Sequence, residues 1–497
     1  MDNPARDNTP SCSKNHTPKK QLTLDSNSNT PIFPEWLGDR AFSATHGSRF
    51  NYVVGEMARG IATPRMVIAA VEAGCVGFYG SAGLPLDEVR AGLTEIKSKL
   101  TTGQTNWGAN LIHSPQNPGL EAATIDLFLD QDVRRVSASA FMQLSPEIVR
   151  YAAHGMTRNA AGTLVRKTHV FAKVSRAEIA AAFMAPPPDA LLTHLVASGK
   201  ITQDEASLAA LHPVALDVTA EADSGGHTDN RAAAPLFASI STICDRVSSE
   251  HNLNRNAFRI GLAGGIATPH GVAAAFAMGA AYVLTGSVNQ CTSESGLSPA
   301  ARTLLHQAGP VDVMMAPAAD MFEQGVEVQV LKRGTLFPMR AKRLHALYHS
   351  GTTIDALSAK DRNFIETCLG ESIDTAWLAT ADYLRAHNPS LLHRAEEDGN
   401  KRLALIARRY LFNAAQWARD GTPGKQIDYQ IWCGPAMGAF NEWTEGSCLE
   451  APENRTVKQI AWNLLDGAAQ LTRLAQSRAN GHAVAPSAFS ITPQLFA

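Results

Sequence analysis

What this sequence lacks narrows it first. Its 7 cysteines include no CxxC pair, which argues against a zinc site and against a disulfide framework, and fits a reducing compartment. No apolar run is long enough to cross a bilayer, and the N-terminal MDNPARDNTPSCSKNH is polar and proline-rich where a signal core would be apolar. Charge of neither sign dominates: 44 Lys and Arg face 46 Asp and Glu, a net charge of -2, so no bulk field draws nucleic acid or an anionic membrane. No GxGxxG follows a strand-like run, and neither a P-loop nor a metal-spaced histidine cluster occurs, so no metal site is expected. Residues 1–30 read as a disordered lead-in of a cytoplasmic chain.

What is present is an alternation. The 497 residues, 45% hydrophobic and 18% charged, are enough for a barrel-sized unit plus a substantial appendage. Eight β-rich runs recur, at 52–58, 75–80, 106–113, 134–140, 169–176, 216–223, 258–265 and 280–287, with Ala-rich helical stretches between them. Two of those stretches open Thr-Pro, a capping residue followed by the residue best tolerated at the first helical position. Eight β/α units predict a (β/α)₈ TIM barrel over 31–290, with an open doubly wound sheet as the alternative. Residues 177–214 read as a helical insertion lying over one mouth of the barrel. The strand rhythm then stops, and 291–497 reads as a mainly helical C-terminal extension packing on the barrel.

A TIM barrel places its site on the loops after the strands, with phosphate commonly held after strands 7 and 8. There the chain has Ala263-Gly264-Gly265 running into Thr268-Pro269, and Thr285-Gly286-Ser287. Glycines admit a phosphate without a Cβ in the way, and a helix N-terminus offers free N–H groups; the plainer reading is a pair of tight turns. Strand 6 ends in Glu221-Ala222-Asp223-Ser224-Gly225-Gly226-His227, where alternation puts Glu221 and Asp223 on one side and the turn aims His227 back over the mouth. His227 is the candidate acid or base, or else a loop cap. Lys173 interrupts the apolar run VFAKV, so it reaches a ligand or forms a buried ion pair with Asp223 or Glu221. Asn110, Ser137 and Ser139 add small polar groups, and Gly55-Glu56-Met57-Ala58 offers open backbone beside which a flat ring fits. A flat, phosphate-bearing cofactor in a barrel points to FMN.

At these residues the sequence resembles the FMN-dependent barrel reductases that include nitronate monooxygenases and flavin-type enoyl-acyl carrier protein reductases. The likeness runs through GFYGSAGL at 77–84, GANLI at 108–112, the acidic-x-GGH turn at 223–227, AGGI at 263–266 and TGS at 285–287. It is closer to the PfaD-type trans-acting enoyl reductases of polyketide and polyunsaturated fatty acid synthases, through NLIHSPQNP, VRRVSASAFM, EADSGGHTDNR and DYQIWCGPAMGAFNEW. The resemblance implies that NADPH reduces bound FMN and that hydride passes to an enoyl thioester on an acyl carrier protein within a synthase assembly. It also leaves room for a homodimer. It sets Met57 and Ala58 beside the flavin, Asn110 and Lys173 at its polar edge, and Gly225, Gly226, Gly264, Gly265, Gly286 and Ser287 around its phosphate. Glu221, Asp223, Ser224, Ala263 and Thr285 complete the expected set, with His227 and Lys173 as the catalytic pair. Nitronate monooxygenases tend to have Glu-Ala before GGH; Asp223-Ser224 here departs from that and weakens a nitronate-oxidising alternative. A catalytically inert carrier-docking scaffold is the other alternative. Lys332, Arg333, Arg340, Lys342 and Arg343 form a basic patch suited to an acidic carrier or a cofactor phosphate, or an ordinary solvated face. WCGPAMGAFNEW either lids the site or staples the extension to the barrel.

Overall fold

The computed structural model describes residues 31–115 and 117–497; the expected lead-in, 1–30, lies outside the described residues. Eight parallel strands close on themselves: β1 (Tyr52–Val54), β2 (Val76–Tyr79), β3 (Trp107–Ile112), β4 (Arg135–Ser139), β5 (His169–Val174), β6 (Asp217–Glu221), β7 (Arg259–Ala263) and β8 (Val283–Thr285). β1 bonds to both β2 and β8, with Tyr52 opposite Val283, and this closure excludes the open sheet. Each run expected as a strand holds one of the eight. The observed strands are shorter because the last residues of most runs leave the ladder to build the loops at the mouth. Thr63 and Thr268 cap the helices Pro64–Glu72 and Pro269–Ala277, accepting from the amides of Met66 and Gly271, as the Thr-Pro pairs require.

Period-two alternation fills the interior in layers. β4 sends in Arg135, Ser137 and Ser139; β5 sends in His169, Phe171 and Lys173; β6 sends in Asp217, Thr219 and Glu221. The lowest layer is charged and sealed. Arg259 grips Asp217 through Nε at 2.6 Å and Nη2 at 2.8 Å, and His46 Nε2 lies 3.2 Å from the same carboxylate. Arg135 Nε donates to His46 Nδ1 at 3.0 Å, so His46 carries its proton on Nε2 and is neutral; burial holds its basicity below the ordinary value. Among the described residues, His46, His169 and Asp217 are the one cluster spaced to hold a metal ion. The two arginines already supply the positive charge there. A short helix, Arg40–His46, plugs this end, with Phe42 stacked on Tyr282 at 4.5 Å and Phe171 edge-on. Aromatic rings thus separate a charged floor from a polar top.

One departure from the sequence reading concerns what surrounds the barrel. Of the 177–214 insertion, helix Ala177–Met184 packs on Ala233–Glu250 as an ordinary barrel helix. Helices Asp189–Ala197 and Gln203–Ala209 pack against Pro146–Ala153 on the flank, not over the mouth, because their buried Leu192, Leu195, Ala206 and Ala209 need an apolar partner surface. The extension is mainly helical, as expected. After helix Pro299–His306 it also carries an antiparallel hairpin, β9 (Val313–Pro317) and β10 (Glu327–Leu331), and β10 pairs in addition with the two-residue strand Gly226–His227. Four helices, Phe337–His349, Ala359–Leu369, Ile373–His387 and Gly399–Asp420, then surround a second core that includes Phe322, Phe337, Leu344 and Tyr410. The last long helix, Val457–Ala479, returns to the barrel against Pro269–Ala277 and Pro64–Glu72, where Trp462 Nε1 donates to the Ala73 carbonyl at 2.9 Å. No single helix among the described residues is long and apolar enough to cross a membrane.

Candidate active site

A cavity of about 490 Å³ opens at the C-terminal ends of the strands. Of the residues expected from sequence, Met57, Ala58, Asn110, Lys173, Glu221, Ser224, Gly225, Gly226, His227, Ala263, Gly264, Gly265, Gly286 and Ser287 all line it. Two do not. Thr285 points into the β1–β8 wall, bonded to the Tyr52 hydroxyl at 2.8 Å and to Asn289 at 3.0 Å. Asp223 lies outside the cavity because strand alternation ends at Glu221, so the two carboxylates do not share a face as expected. Burial raises the proton affinity of Asp223, against a smaller opposing effect of Gln329.

At the inner end sits an ammonium held between two carboxylates. Lys173 Nζ lies 2.9 Å from Glu221 Oε1 and 3.0 Å from Glu56 Oε1. Burial alone would lower its pKa, but Glu221 and then Glu56 outweigh that and raise it, so Lys173 stays protonated. An ammonium has three donors, and two are spent on these carboxylates. Ser139 Oγ donates to Glu56 Oε1 at 2.9 Å and is itself 3.2 Å from Asn110 Nδ2. The amide donors of Asn110 are therefore turned to Ser139 and the Ser137 carbonyl, and the atom left free is its Oδ1, an acceptor. Glu56, the second partner of Lys173, was missed as a site residue although it stands in Gly55-Glu56-Met57-Ala58; a carboxylate at a strand end was its one signal.

The outer wall carries His227. Its Nε2 lies 3.2 Å from Asp320 Oδ1, a residue of the extension that was not singled out as a site residue. Burial by itself would make the imidazole less basic, but Asp320 and more distantly Glu221 prevail and raise its pKa. Its backbone is fixed as well, since His227 is paired with Val328 of β10. The segment after residue 428 both covers the site and fastens it. Gln430, Trp432 and Ala436 line the cavity, Gln290 Nε2 donates to the Trp432 carbonyl at 2.6 Å, and Gly434 N–H donates to Ser287 Oγ at 3.3 Å.

Between these walls is a cradle. Gly264 and Gly265 have φ of 84° and 72°; a Cβ on Gly264 would strike the Ala222 backbone at 2.6 Å, whereas one on Gly265 or Gly286 would stand in open space. Four of the lining residues carry a buried polar atom with no partner: Glu56 Oε2, Asn110 Oδ1, Ser224 Oγ and Gln290 Oε1. Buried polar groups are normally satisfied, so a set of them around one cavity marks a polar ligand. The residues present fit a flat polar ring bearing an anion. The expected basic patch is largely spent instead: Arg333, Arg340, Lys342 and Arg343 pair with Asp312, Asp428, Glu327 and Asp361, leaving Lys332.

Barrel, cradle and buried ammonium together define a (β/α)₈ protein with a polar ligand cavity at the C-terminal ends of its strands. Comparison with known proteins gives the group. Residues 45–350 match the nitronate monooxygenase family, and 352–429 match the inserted helical domain of [acyl-carrier-protein] S-malonyltransferase. The chain is 42% identical over 445 residues to a component of the polyunsaturated fatty acid synthase of Thraustochytrium sp., covering 88% of this chain and 30% of that protein. It is 39% identical over 460 residues to the polyketide biosynthesis protein PksE of Bacillus subtilis, covering 92% and 59%. The crystal structure of the enoyl reductase domain of MlnA, from the macrolactin biosynthesis cluster of Bacillus amyloliquefaciens, superposes with a TM-score of 0.85 at 33% identity, covering 89% of this chain and 99% of that one. The chain belongs to the nitronate monooxygenase family and, within it, to the PfaD-type enoyl reductase branch. It spans less than two thirds of the length of these two biosynthetic relatives.

Proposed function

We propose that this chain is an FMN-dependent, NADPH-consuming enoyl reductase that acts in trans on α,β-unsaturated thioesters borne by an acyl carrier protein, within a polyketide or polyunsaturated fatty acid synthase. The observation that carries the reading is the cavity itself, with an open glycine cradle at β7 and β8, a protonated lysine at its inner end and a histidine on its outer wall. A bound FMN supplies hydride transfer, from NADPH to the β-carbon of the enoyl thioester. Gly265, Gly286 and Ser287 would hold its phosphate; Asn110 Oδ1 and the remaining N–H of Lys173 would meet the ring's polar edge.

The chain's own residues account for the proton. His227 gives its Nε2 side to Asp320, which leaves Nδ1 as the atom able to release a proton to the α-carbon. Because Asp320 raises its basicity, His227 holds that proton further into the neutral range than an isolated imidazole. Lys173, already paired, acts as an orienting charge and not as an acid. Trp432 and the extension cover the site and restrict water.

A visible flavin spectrum in the purified protein is the first test. Anaerobic mixing is the second: NADPH should bleach the flavin and a crotonyl thioester should restore it. Recolouring by oxygen or a nitronate alone would instead support a nitronate-oxidising enzyme, and a colourless protein unable to take up FMN would support a docking scaffold.

A further inference from the structure

Arg59 follows Met57 and Ala58 in the loop after β1 and has a φ of 58°, a left-handed conformation that a long side chain adopts only under constraint. Its guanidinium lies 4.1 Å from the ring centre of Phe412 and 5.7 Å from that of Trp432, where the extension meets the barrel. Nη1 donates to the Phe412 carbonyl at 3.0 Å, which leaves most of its five N–H donors unspent. The neighbouring cations are matched: Arg408 pairs with Glu323 at 3.3 Å, Arg419 with Glu88 at 2.7 Å, and His227 with Asp320 at 3.2 Å. Arg59 forms no ion pair among the described residues. Burial pushes its pKa down to about 10, against a smaller opposing effect of Asp320, the carboxylate already bonded to His227, so Arg59 remains a cation at neutral pH. It also lines the same cavity as the glycine cradle.

A half-buried guanidinium whose plane is fixed by two aromatic rings, and which has no carboxylate of its own, is built to receive a planar or tetrahedral anion. We propose that Arg59 binds a phosphate carried by the substrate or the reductant, at a second anion site separate from the glycine cradle. The assignment of that phosphate rests on the reductase reading above: it is either the pantetheine phosphate of a carrier-bound thioester or the 2′-phosphate of NADPH. The purely structural alternative makes Arg59 a staple between the barrel and helix Gly399–Asp420.

The test uses the purified holoprotein and two variants, Arg59→Met, which keeps an apolar stem between the rings, and Arg59→Lys, which keeps the charge. Calorimetric titration compares 4′-phosphopantetheine with pantetheine, and adenosine 2′,5′-bisphosphate with adenosine 5′-monophosphate. One phosphorylated probe should bind the wild type more tightly than its counterpart. Arg59→Met should abolish that preference, a loss of roughly tenfold or more, while Arg59→Lys retains part of it and both keep the wild-type melting temperature. The probe affected names the source of the phosphate. In turnover, Arg59→Met should raise KM for the matching phosphate-bearing reactant and leave kcat alone. Equal binding of both members of each pair by the wild type, or an Arg59→Met protein that melts early yet keeps the preference, overturns the proposal. A phosphate preference in a protein that does not reduce enoyl thioesters would instead sink the reductase reading and leave this site standing.

Discussion

His227 and Gly265 carry opposite halves of the proposed chemistry, so their variants should fail differently. His227→Ala removes the proton source but touches no part of the cradle; flavin content should be unchanged and turnover should fall by roughly 10²-fold or more. Normal turnover in that variant would remove His227 from the mechanism. Asp320→Asn tests the partner. Asp320 raises the basicity of His227, so the wild-type rate should fall as pH rises through that raised value, and the variant's rate should begin to fall at a lower pH. Stability follows the same sign: the pair's contribution is complete below the ordinary histidine value of 6.5 and is lost as pH climbs through the raised one. Gly265→Asp projects a carboxylate into open space in the cradle and should yield a folded, colourless protein. Gly265→Ala bears a similar left-handed backbone cost, about 1 kcal/mol, without the charge, and should stay yellow. A yellow Asp variant would count against the cradle.

At the scale of elements, the barrel floor is where charge is least forgiving. Asp217 is 1% exposed and answers both Arg259 and His46, which hold its pKa far below the usual carboxylate range despite burial. Asp217→Asn leaves Arg259 without its counter-charge and should cost about 3–5 kcal/mol in urea unfolding, with the plug helix Arg40–His46 loosened first. A loss below about 1 kcal/mol would mean the floor reorganises freely. Since the folded pKa is depressed, this contribution is present above the unfolded value of 3.8 and fades only as pH falls below it. The strands themselves were legible from composition, because each is a short β-rich run, and those of β1, β3, β4 and β7 lead into helices that open with a capping residue followed by Pro. The plug helix was not read, since seven residues at 40–46 carry too little periodicity to stand out.

For the molecule as a whole, the boundary at residue 290 in the sequence reading separates a strand rhythm from its absence, but the core does not stop there. Ile460, Ala461, Leu464, Leu465 and Ala468 of the last helix belong to the same hydrophobic cluster as Val67, Ala70 and Val272 of the barrel helices. A chain cut to 31–290 exposes that face, and it should be insoluble or unable to hold flavin when expressed alone; a soluble, yellow barrel would show that the extension is dispensable for folding. The extension also brings Asp320, Val328 and Trp432 to the cavity.

Periodicity and loop composition determined by themselves that there would be eight β/α units and that the last two turns would be glycine-lined, because both depend on neighbours a few residues apart; that the sheet closes, with Tyr52 opposite Val283, was decided by the tertiary structure. The pairing of Lys173 with Glu56 and Glu221, the exclusion of Asp223, and the docking of His227 on Asp320 were decided only by tertiary structure. Each joins residues from different strands, or from barrel and extension, and alternation along one strand cannot say where that strand ends or what packs across from it.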